Sequence, residues 1–478
     1  MGRRLSLAIV VALVVGGALS PALLGWHTQQ LHTELVAQVN AEHPDLDIAV
    51  DHYDRGWFDS RIAYTVTITG SWAEWLHDDA APATAIELSG RDRVRHGPWV
   101  GDGIGVARVD TRLRAPETLR ALGQDEIAER PIVHARSRIG IHGDTEARFS
   151  VPDHTIEVEA RSDDERRERL TLSWQDAGGD AGVRGDVTHF SLRLPRLDVG
   201  NEAGEHLAVR DAVVSDRSRR GRDGVWLGEA RAALGSAELT LAADEPPESL
   251  RLSGLSLDNH SDAEDDRVTI DSRLRLDRLE ANGIDLDASE IHLQLGHLDR
   301  AVLGRLTRAL DGAQRELATD PAAEAAADAE VRAALAELLQ GSPELHTERL
   351  HIATTEGAIT GELRAAFAGE RTFDIDVPIS LIDPLSGRAE LRIPRVLVRD
   401  ALYAAVTEQL PDGDFREDMD DALRNQIDQA INLLAATRLI EREGDEIILH
   451  IDKEPGGPPL VNDQDVMALV QALGELLQ

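Results

Sequence analysis

The stretch AYTVTIT, residues 63–69, places apolar and polar side chains at alternate positions, and shorter runs of the same kind recur at 155–159 (TIEVE) and 190–194 (FSLRL). A period of two is typical of strands that bury one face. Gly, Asp and Asn between such runs supply turn residues. This texture continues from Ile48 to about Leu295. We therefore predict a long, mostly antiparallel β-rich region over residues 45–297.

Helical spacing interrupts this alternation in the second half of the chain. Leu298, Val302, Leu306 and Leu310 share one helical face. A second helix is predicted between a capping residue at Asp320 and Gly341. Strand texture returns near residues 351, 373 and 390, and later helical patterns cover 402–434 and 466–477. The sequence thus predicts a mixed region over 298–478 and an α+β fold class, with helices concentrated in the C-terminal half.

The N-terminal segment predicts a membrane anchor. Residues 5–26 carry no charge, and a helix of this length would cross a hydrocarbon core of about 30 Å. Arg3 and Arg4 precede it, which places residues 1–4 in the cytoplasm and the body on the other side. A cleaved signal peptide is the alternative, although Pro21 disfavours cleavage after Ser20. Residues 27–44 are predicted to form a short juxtamembrane helix.

Composition excludes several classes of function. The net charge of −37 would repel nucleic acid and anionic headgroups over most of the surface, so nucleic acid is not expected as a partner. The chain has no cysteine, which excludes disulfides, thiolate metal sites and cysteine nucleophiles. Aromatic residues make up only 3% of the sequence, so the core must be mainly aliphatic.

Two motifs follow the apolar segment: YDRGWFDS at residues 53–60 and RHGPW at residues 95–99. Together with that segment they resemble the YdgA-like family of bacterial envelope proteins, a domain of unknown function. The run LLAATRLIEREGDE at residues 433–446 is similar to the ending of that family. The resemblance implies an inner-membrane protein with its body in the periplasm. It implies no enzymatic activity and no catalytic residues.

These two motifs supply the candidate site. One interpretation is structural, with the rings of the first motif in the core and a rigid Gly-Pro turn in the second. The other is that the motifs form a docking or lipid-facing surface. The candidate surface consists of Tyr53, Arg55, Gly56, Trp57, Phe58, His96, Gly97, Pro98 and Trp99.

Catalytic and metal-binding signatures are missing from the sequence. It has no nucleophile elbow, no His-Glu-x-x-His pair and no phosphate loop that ends in lysine. The histidines form no local ligand pair, and the acidic run at residues 258–266 lacks the ligand order of a calcium loop, so neither a metal nor another cofactor is predicted. We therefore expect a non-catalytic binding or scaffold protein in envelope maintenance, with a groove for a lipid or an envelope protein. A carboxylate-dependent hydrolase of envelope glycans and a structural homodimer are the alternatives.

Overall fold

A computed structural model describes residues 46–465 together with six residues between 29 and 40. Within 46–465 it does not describe residues 70–85, 98–103, 122, 162–166, 222, 242–247, 282–283, 317–320, 371–372, 376 and 408–414. The chain divides into two compact units. Unit 1 comprises residues 1–220 and 230–250, and unit 2 comprises residues 221–229 and 251–478.

Unit 1 is built on antiparallel strand pairs. Its elements are β1 (Leu46–Arg55), β2 (Asp59–Ile68), β3 (Ile86–His96), β4 (Ala107–Arg114), α1 (Pro116–Ala121), α2 (Asp125–Ala128), β5 (Val133–Ile139), β6 (Thr145–Val151), β7 (His154–Arg161), β8 (Arg167–Gln175), β9 (Ala177–Arg184), β10 (Val187–Asn201) and β11 (His206–Arg220). Each strand from β1 to β6 pairs with the next one along the chain. β6 then pairs with β9, and β9 with β10. The long strand β10 also pairs with β8 and β11, and β8 pairs with β7.

Two strands, β12 (Trp226–Leu241) and β13 (Glu248–Glu264), contribute residues to both units. The other elements of unit 2 are β14 (Arg267–Leu276), β15 (Arg278–Ala281), β16 (Ile284–Leu286), β17 (Ser289–Asp299), α3 (Arg300–Glu316), α4 (Pro321–Gln340), β18 (Glu344–Thr354), β19 (Gly357–Phe367), a 3-10 turn (Pro378–Leu381), β20 (Leu385–Pro394), α5 (Arg395–Thr407), α6 (Phe415–Ala436), β21 (Glu441–Glu443), β22 (Glu446–Lys453), β23 (Leu460–Val461) and β24 (Gln464–Asp465). Its main ladder runs β13, β14, β17, β18, β19, β20, β22, and every pair in it is antiparallel.

The helices of unit 2 cover the ends of its strands. α3 and α4 contribute Val302 and Leu338 to a buried cluster that also contains Val268 of β14 and Leu298 of β17. α6 contributes Ile427 and Ile431 to a second cluster, with Ile447 of β22. Pro321 is the first residue of α4, where its missing N–H costs nothing, and the helix ends directly before Gly341.

The predicted fold class is wrong. Most described residues form antiparallel strands, and the ladder continues through β18, β19, β20 and β22, so helices are inserted between strands and do not form a separate half. No helix among the described residues is both long and apolar enough to cross a membrane. The predicted transmembrane helix at 5–26 and the last helix at 466–477 fall outside the described residues. In the range 27–44, the six described residues are helical.

Candidate anion-binding site

Strands β2 to β6 present two chemically different faces, because successive side chains of a strand point to opposite sides. Ile62, Val94 and Ala107 lie on one face and are almost fully buried in a common cluster. The positions that alternate with them carry mostly arginine. This set, which we call the arginine face, consists of Arg61, Arg91, Arg93, Arg95, Arg108, Arg112, Arg114, Arg136, Arg138 and Arg148. Only Arg108 and Arg114 are partly buried, and the others are exposed.

A groove of about 790 Å³ runs over this face. Every member of the arginine face except Arg138 lines it, together with His52 and His134. Two carboxylates are in the described lining, Asp110 on the arginine face and the buried Asp92 on the opposite face. The groove is therefore strongly basic, in a chain whose net charge is −37.

The register brings arginines directly opposite one another. The opposed pairs are Arg61 and Arg93, Arg91 and Arg112, Arg95 and Arg108, Arg108 and Arg138, and Arg136 and Arg148. Residues directly opposite in an antiparallel ladder have Cβ atoms about 5 Å apart, and like charges there are destabilising. This arrangement destabilises the sheet, and an anion between the guanidinium groups would reduce the repulsion.

Carboxylates neutralise only part of this charge. The Asp59 carboxylate lies 3.3 Å from the Arg93 guanidinium. The Asp110 carboxylate lies 3.0 Å from the guanidinium of Arg136 and 3.8 Å from that of Arg108. Arg114 lies 3.8 Å from Glu129. The remaining arginines of the groove have no carboxylate within 4.0 Å among the described residues, and these are Arg61, Arg91, Arg95, Arg112 and Arg148.

Two buried donors in the groove also lack hydrogen-bond partners. The Nε atoms of Arg108 and Arg114 are buried and make no hydrogen bond within the described part of the chain. A buried N–H without an acceptor costs about 1–3 kcal/mol, and more when the group is charged. These two N–H groups therefore destabilise the sheet.

The two sequence motifs meet at one end of this sheet. Asp59 pairs with Arg95 in the β2–β3 ladder, and the His96 N–H donates to the Phe58 carbonyl at 2.9 Å. Gly97 lies so close to Gly105 that a Cβ atom would stand 1.7 Å from the Gly105 carbonyl oxygen. Pro98 and Trp99 lie outside the described residues.

The rings of the first motif differ in their surroundings. Tyr53 is half-buried and packs against the cluster of Ile62, Val94 and Ala107, and its ring also contacts His32. Trp57 and Phe58, in contrast, are 50% and 63% exposed. These two rings therefore do not fill the core, and Arg55 and Gly56 beside them are exposed as well.

Ser60 and His96 form a buried pair with Ser60 Oγ 2.8 Å from His96 Nε2. The two residues are only 1% and 5% exposed, so a substrate has no access to the serine hydroxyl. Burial lowers the pKa of His96, while nearby Asp59 opposes this effect. The His96 Nδ1 atom has no hydrogen-bond partner among the described residues, and thus no carboxylate orients the ring for catalysis. The pair fastens β2 to β3.

Asp92 is a buried carboxyl on the face opposite to the arginines. The Tyr64 hydroxyl donates to its Oδ1 atom at 3.2 Å. Burial raises the pKa of Asp92, and its hydrogen bonds with Thr111 and Tyr64 act in the opposite direction. Burial also raises the pKa of Tyr64, so its hydroxyl stays protonated and keeps donating to Asp92.

Unit 2 contains a cluster that the sequence analysis did not predict. Among the described residues, Asp271, His292 and Glu348 bring together the ligand types of a metal site. His292 Nε2 lies 2.8 Å from Asp271, and its Nδ1 lies 2.8 Å from Glu348. Because each ring nitrogen already faces its own carboxylate, the geometry favours a hydrogen-bonded bridge between three strands over a metal centre. The three residues lie far apart in the chain, so their spacing gave no signal.

The acidic run at residues 258–266 ends β13 and forms the turn into β14. Its side chains alternate between two faces, which separates their carboxylates. In the described part of the chain, they form no metal-binding group.

The arginine face was also not predicted, although the sequence contains its signal. Arginine occupies alternate positions in RDRVR (91–95), RVDTRLR (108–114) and RSR (136–138). The net charge of −37 predicts repulsion of anions, and the strand pairing that aligns the three runs cannot be read from one sequence.

A comparison with protein families gives a match over nearly the whole chain. The model of a family described as "Bacterial protein of unknown function (DUF945)" matches residues 3–467. No curated protein and no solved structure matches the chain.

Proposed function

Since the chain belongs to the DUF945 family of bacterial proteins of unknown function, we propose that it is a non-catalytic binding protein of the cell envelope whose arginine face holds a phosphate-bearing anion. The register that sets arginine opposite arginine carries this proposal. A sheet selected only for stability would alternate the charges, because opposite-charge pairs across strands stabilise by about 0.2–1 kcal/mol each.

The chemistry of the face suits phosphate. A guanidinium group presents a planar fork of donors and binds phosphate oxygens in bidentate fashion. Neighbouring strands are about 4.8 Å apart, and side chains on one face repeat about every 6.8 Å along a strand. A molecule with several anionic oxygens can thus contact Arg61, Arg91 and Arg112 at once.

The rest of the chain limits the size of this ligand. A long polyanion would extend from the groove over a surface with a large acidic excess, where it would be repelled. A compact anion such as the headgroup of an acidic phospholipid avoids that repulsion. This argument disfavours nucleic acid and favours the lipid ligand.

The proposed location is the periplasm, at the inner membrane. The resemblance of residues 53–60 and 95–99 to the YdgA-like envelope family supports it. Protease treatment of intact cells and of spheroplasts tests it, because a periplasmic body is digested only after the outer membrane is opened. Digestion that requires lysis of the spheroplasts would contradict this location.

A binding experiment tests the ligand. Isothermal titration of the full chain in a nonionic detergent with dihexanoylphosphatidylglycerol, a water-soluble acidic lipid, should show saturable binding, and the zwitterionic choline analogue should not bind. Replacing Arg91 and Arg112 with glutamine should weaken binding at least about tenfold, which corresponds to about 1.4 kcal/mol.

The matched control replaces Arg217 and Arg219 of β11 with glutamine, since both are exposed on unit 1 and neither lines the groove. Equal affinity in the two double variants, or equal affinity for the choline lipid, would refute the proposal. Binding of inorganic phosphate alone with the same affinity would show that the groove recognises free phosphate and not a lipid headgroup.

The hydrolase alternative gains no support from the groove. A pair of carboxylates at glycosidase spacing is required for that chemistry. The described lining contains two carboxylates, Asp92 and Asp110. Asp92 is buried on the opposite face, where the Tyr64 hydroxyl donates to it, and Asp110 is paired with Arg136.

A further inference from the structure

One end of the β1–β6 sheet carries a row of exposed apolar side chains. In an antiparallel meander, alternate connections lie at the same end of the sheet. The connections β1–β2, β3–β4 and β5–β6 therefore adjoin one another, about 10 Å apart. Each of them exposes large apolar side chains: Trp57, Phe58, Ile104 and Ile141, which are 50%, 63%, 51% and 60% exposed. We call these four residues the apolar rim.

Backbone hydrogen bonds order the β1–β2 connection, in which Trp57 and Phe58 are exposed. The Gly56 N–H donates to the Asp59 carbonyl at 2.8 Å, and the His96 N–H donates to the Phe58 carbonyl at 2.9 Å. A Cβ atom on Gly56 would stand 2.5 Å from the Asp59 carbonyl oxygen, so this turn is closely packed. The backbone thus holds Trp57 and Phe58 outward.

A row of arginines lies directly behind the rim. Arg95, Arg108 and Arg138 are aligned across β3, β4 and β5 by the register. The Arg138 guanidinium donates to the Ile104 carbonyl at 3.0 Å, which joins this row to the rim. The carboxylates at the same level, Asp59 and Glu146, are paired with Arg93 and Arg184. Arg108 lies 3.8 Å from Asp110, and Arg95 and Arg138 have no carboxylate within 4.0 Å among the described residues. The row is therefore positively charged, although Asp144 lies in the β5–β6 connection.

Apolar side chains in front of a cationic row match the interface of an anionic bilayer. Tryptophan and phenylalanine bury apolar surface at the headgroup boundary, and arginines near an anionic surface are attracted to it. The hairpin also lies close along the chain to the most apolar sequence: Gln29, which accepts a hydrogen bond from Arg55 at 3.4 Å, follows residues 5–26 by three positions.

We propose that the apolar rim docks on an anionic lipid surface, with the row of Arg95, Arg108 and Arg138 at the lipid phosphates. This inference rests on the proposed function, because the anion held by the arginine face is then a lipid of the bilayer on which the protein sits. The docked rim would place the groove next to its ligand.

The absence of native cysteine makes a direct test available. The variants Phe58→Cys, Ile104→Cys and Ile141→Cys each give the full chain one thiol for a bimane fluorophore. Each labelled chain is reconstituted into bilayers of phosphatidylcholine, with or without phosphatidylglycerol. The matched controls are Ile284→Cys and Leu433→Cys in unit 2, which are 57% and 65% exposed.

In bilayers with phosphatidylglycerol, the fluorescence emission of the three rim probes should shift to shorter wavelength. These probes should also become protected from quenching by acrylamide and be quenched by brominated lipid. Replacing Arg95, Arg108 and Arg138 with glutamine should reverse these changes. The two control probes should stay accessible to acrylamide throughout. Rim probes that remain as accessible as the controls would overturn the proposal and leave the apolar rim as a surface for a protein partner.

The two proposals can fail separately. A rim that stays in water while the soluble acidic lipid still binds the groove refutes the docking alone. Loss of binding of the soluble lipid in the Trp57→Ser and Phe58→Ser double variant would also contradict the inference, because the rim should act on bilayers and not on a dissolved headgroup. Failure of the wild-type chain to bind the soluble lipid refutes the proposed function itself.

Discussion

His96 joins the two motifs through its backbone and its buried ring. Its backbone N–H donates to the Phe58 carbonyl, and its Nε2 atom forms a hydrogen bond with the Ser60 hydroxyl. Neither contact could be derived from the sequence, where the motifs are separated by more than thirty residues. The interaction places His96 behind the exposed aromatic rings, and its ionisation should affect that part of the sheet.

The His96→Gln variant should reduce the dependence of stability on pH. Burial lowers the pKa of His96 below the ordinary value of 6.5, so the folded state binds this proton less tightly than the unfolded chain. The contribution of neutral His96 is fully present above that value and is lost as the pH falls below it. The free energy of unfolding of the wild type, measured in urea, should thus decrease as the pH falls from about 7 to about 5. The decrease should be smaller in the variant.

The control for this prediction is His142→Gln, since His142 is exposed in the β5–β6 turn. It should leave the pH profile of the wild type unchanged. A profile for His96→Gln that coincides with the wild type would show that His96 does not carry this dependence.

At the scale of elements, the opposed arginines predict a conflict between stability and binding. Arg112→Glu places a carboxylate opposite Arg91 and turns a repulsive pair into an attractive one. The free energy of unfolding should rise by about 0.5–1 kcal/mol, while affinity for the acidic lipid falls. Urea denaturation together with titration calorimetry measures both.

Arg217→Glu makes the same charge change on β11, outside the groove. It should leave binding unchanged and give no comparable gain in stability. If Arg112→Glu destabilised the fold, the register argument for a ligand site would lose its basis.

The start of α3 depends on a capping side chain. Asp299 Oδ1 accepts hydrogen bonds from the N–H groups of Ala301 and Val302 at 3.0 and 3.1 Å. Asp299→Ala should lower the free energy of unfolding by about 1 kcal/mol, because these donors lose their acceptor. Asp299→Asn, which keeps an acceptor oxygen, should recover most of that loss in the same denaturation experiment. A neutral effect of Asp299→Ala would show that α3 is held by packing alone.

Alternation and helical spacing allowed most strands and the helices α3 and α4 to be predicted from local sequence. The prediction of a strand near residue 373 is wrong, because the described residues there form no strand. The capping residue and Pro321 marked α4 because helix starts have local chemistry. The fold class failed, since local patterns do not show that β18, β19 and β20 extend one ladder across the inserted helices. The arginine face failed for the same reason: alternation shows which residues share a face of one strand, whereas the site is created by register between strands.

At the scale of the whole molecule, charge should limit stability. With a net charge of −37, self-repulsion raises the free energy of the compact folded state more than that of the expanded unfolded chain. Salt screens this repulsion. The thermal midpoint should therefore rise when NaCl is increased from about 0.01 M to about 1 M, over which the screening length shortens from about 30 Å to about 3 Å. Differential scanning calorimetry measures this shift. A midpoint that does not change would mean that acidic residues are too dispersed to repel one another.

The alternation of arginine with buried apolar residues in β2 to β6 also protects the pairing of these strands during folding. A slip of one residue in any strand would turn its guanidinium groups into the cluster around Ile62 and Val94 and turn its apolar side chains outward. Such a misfolded sheet would bury several unpaired cations at a prohibitive cost. The arginines of this face would thus also specify the register in which each strand pairs with its neighbour. Variants that replace many of these arginines with apolar residues should consequently form sheets of mixed register.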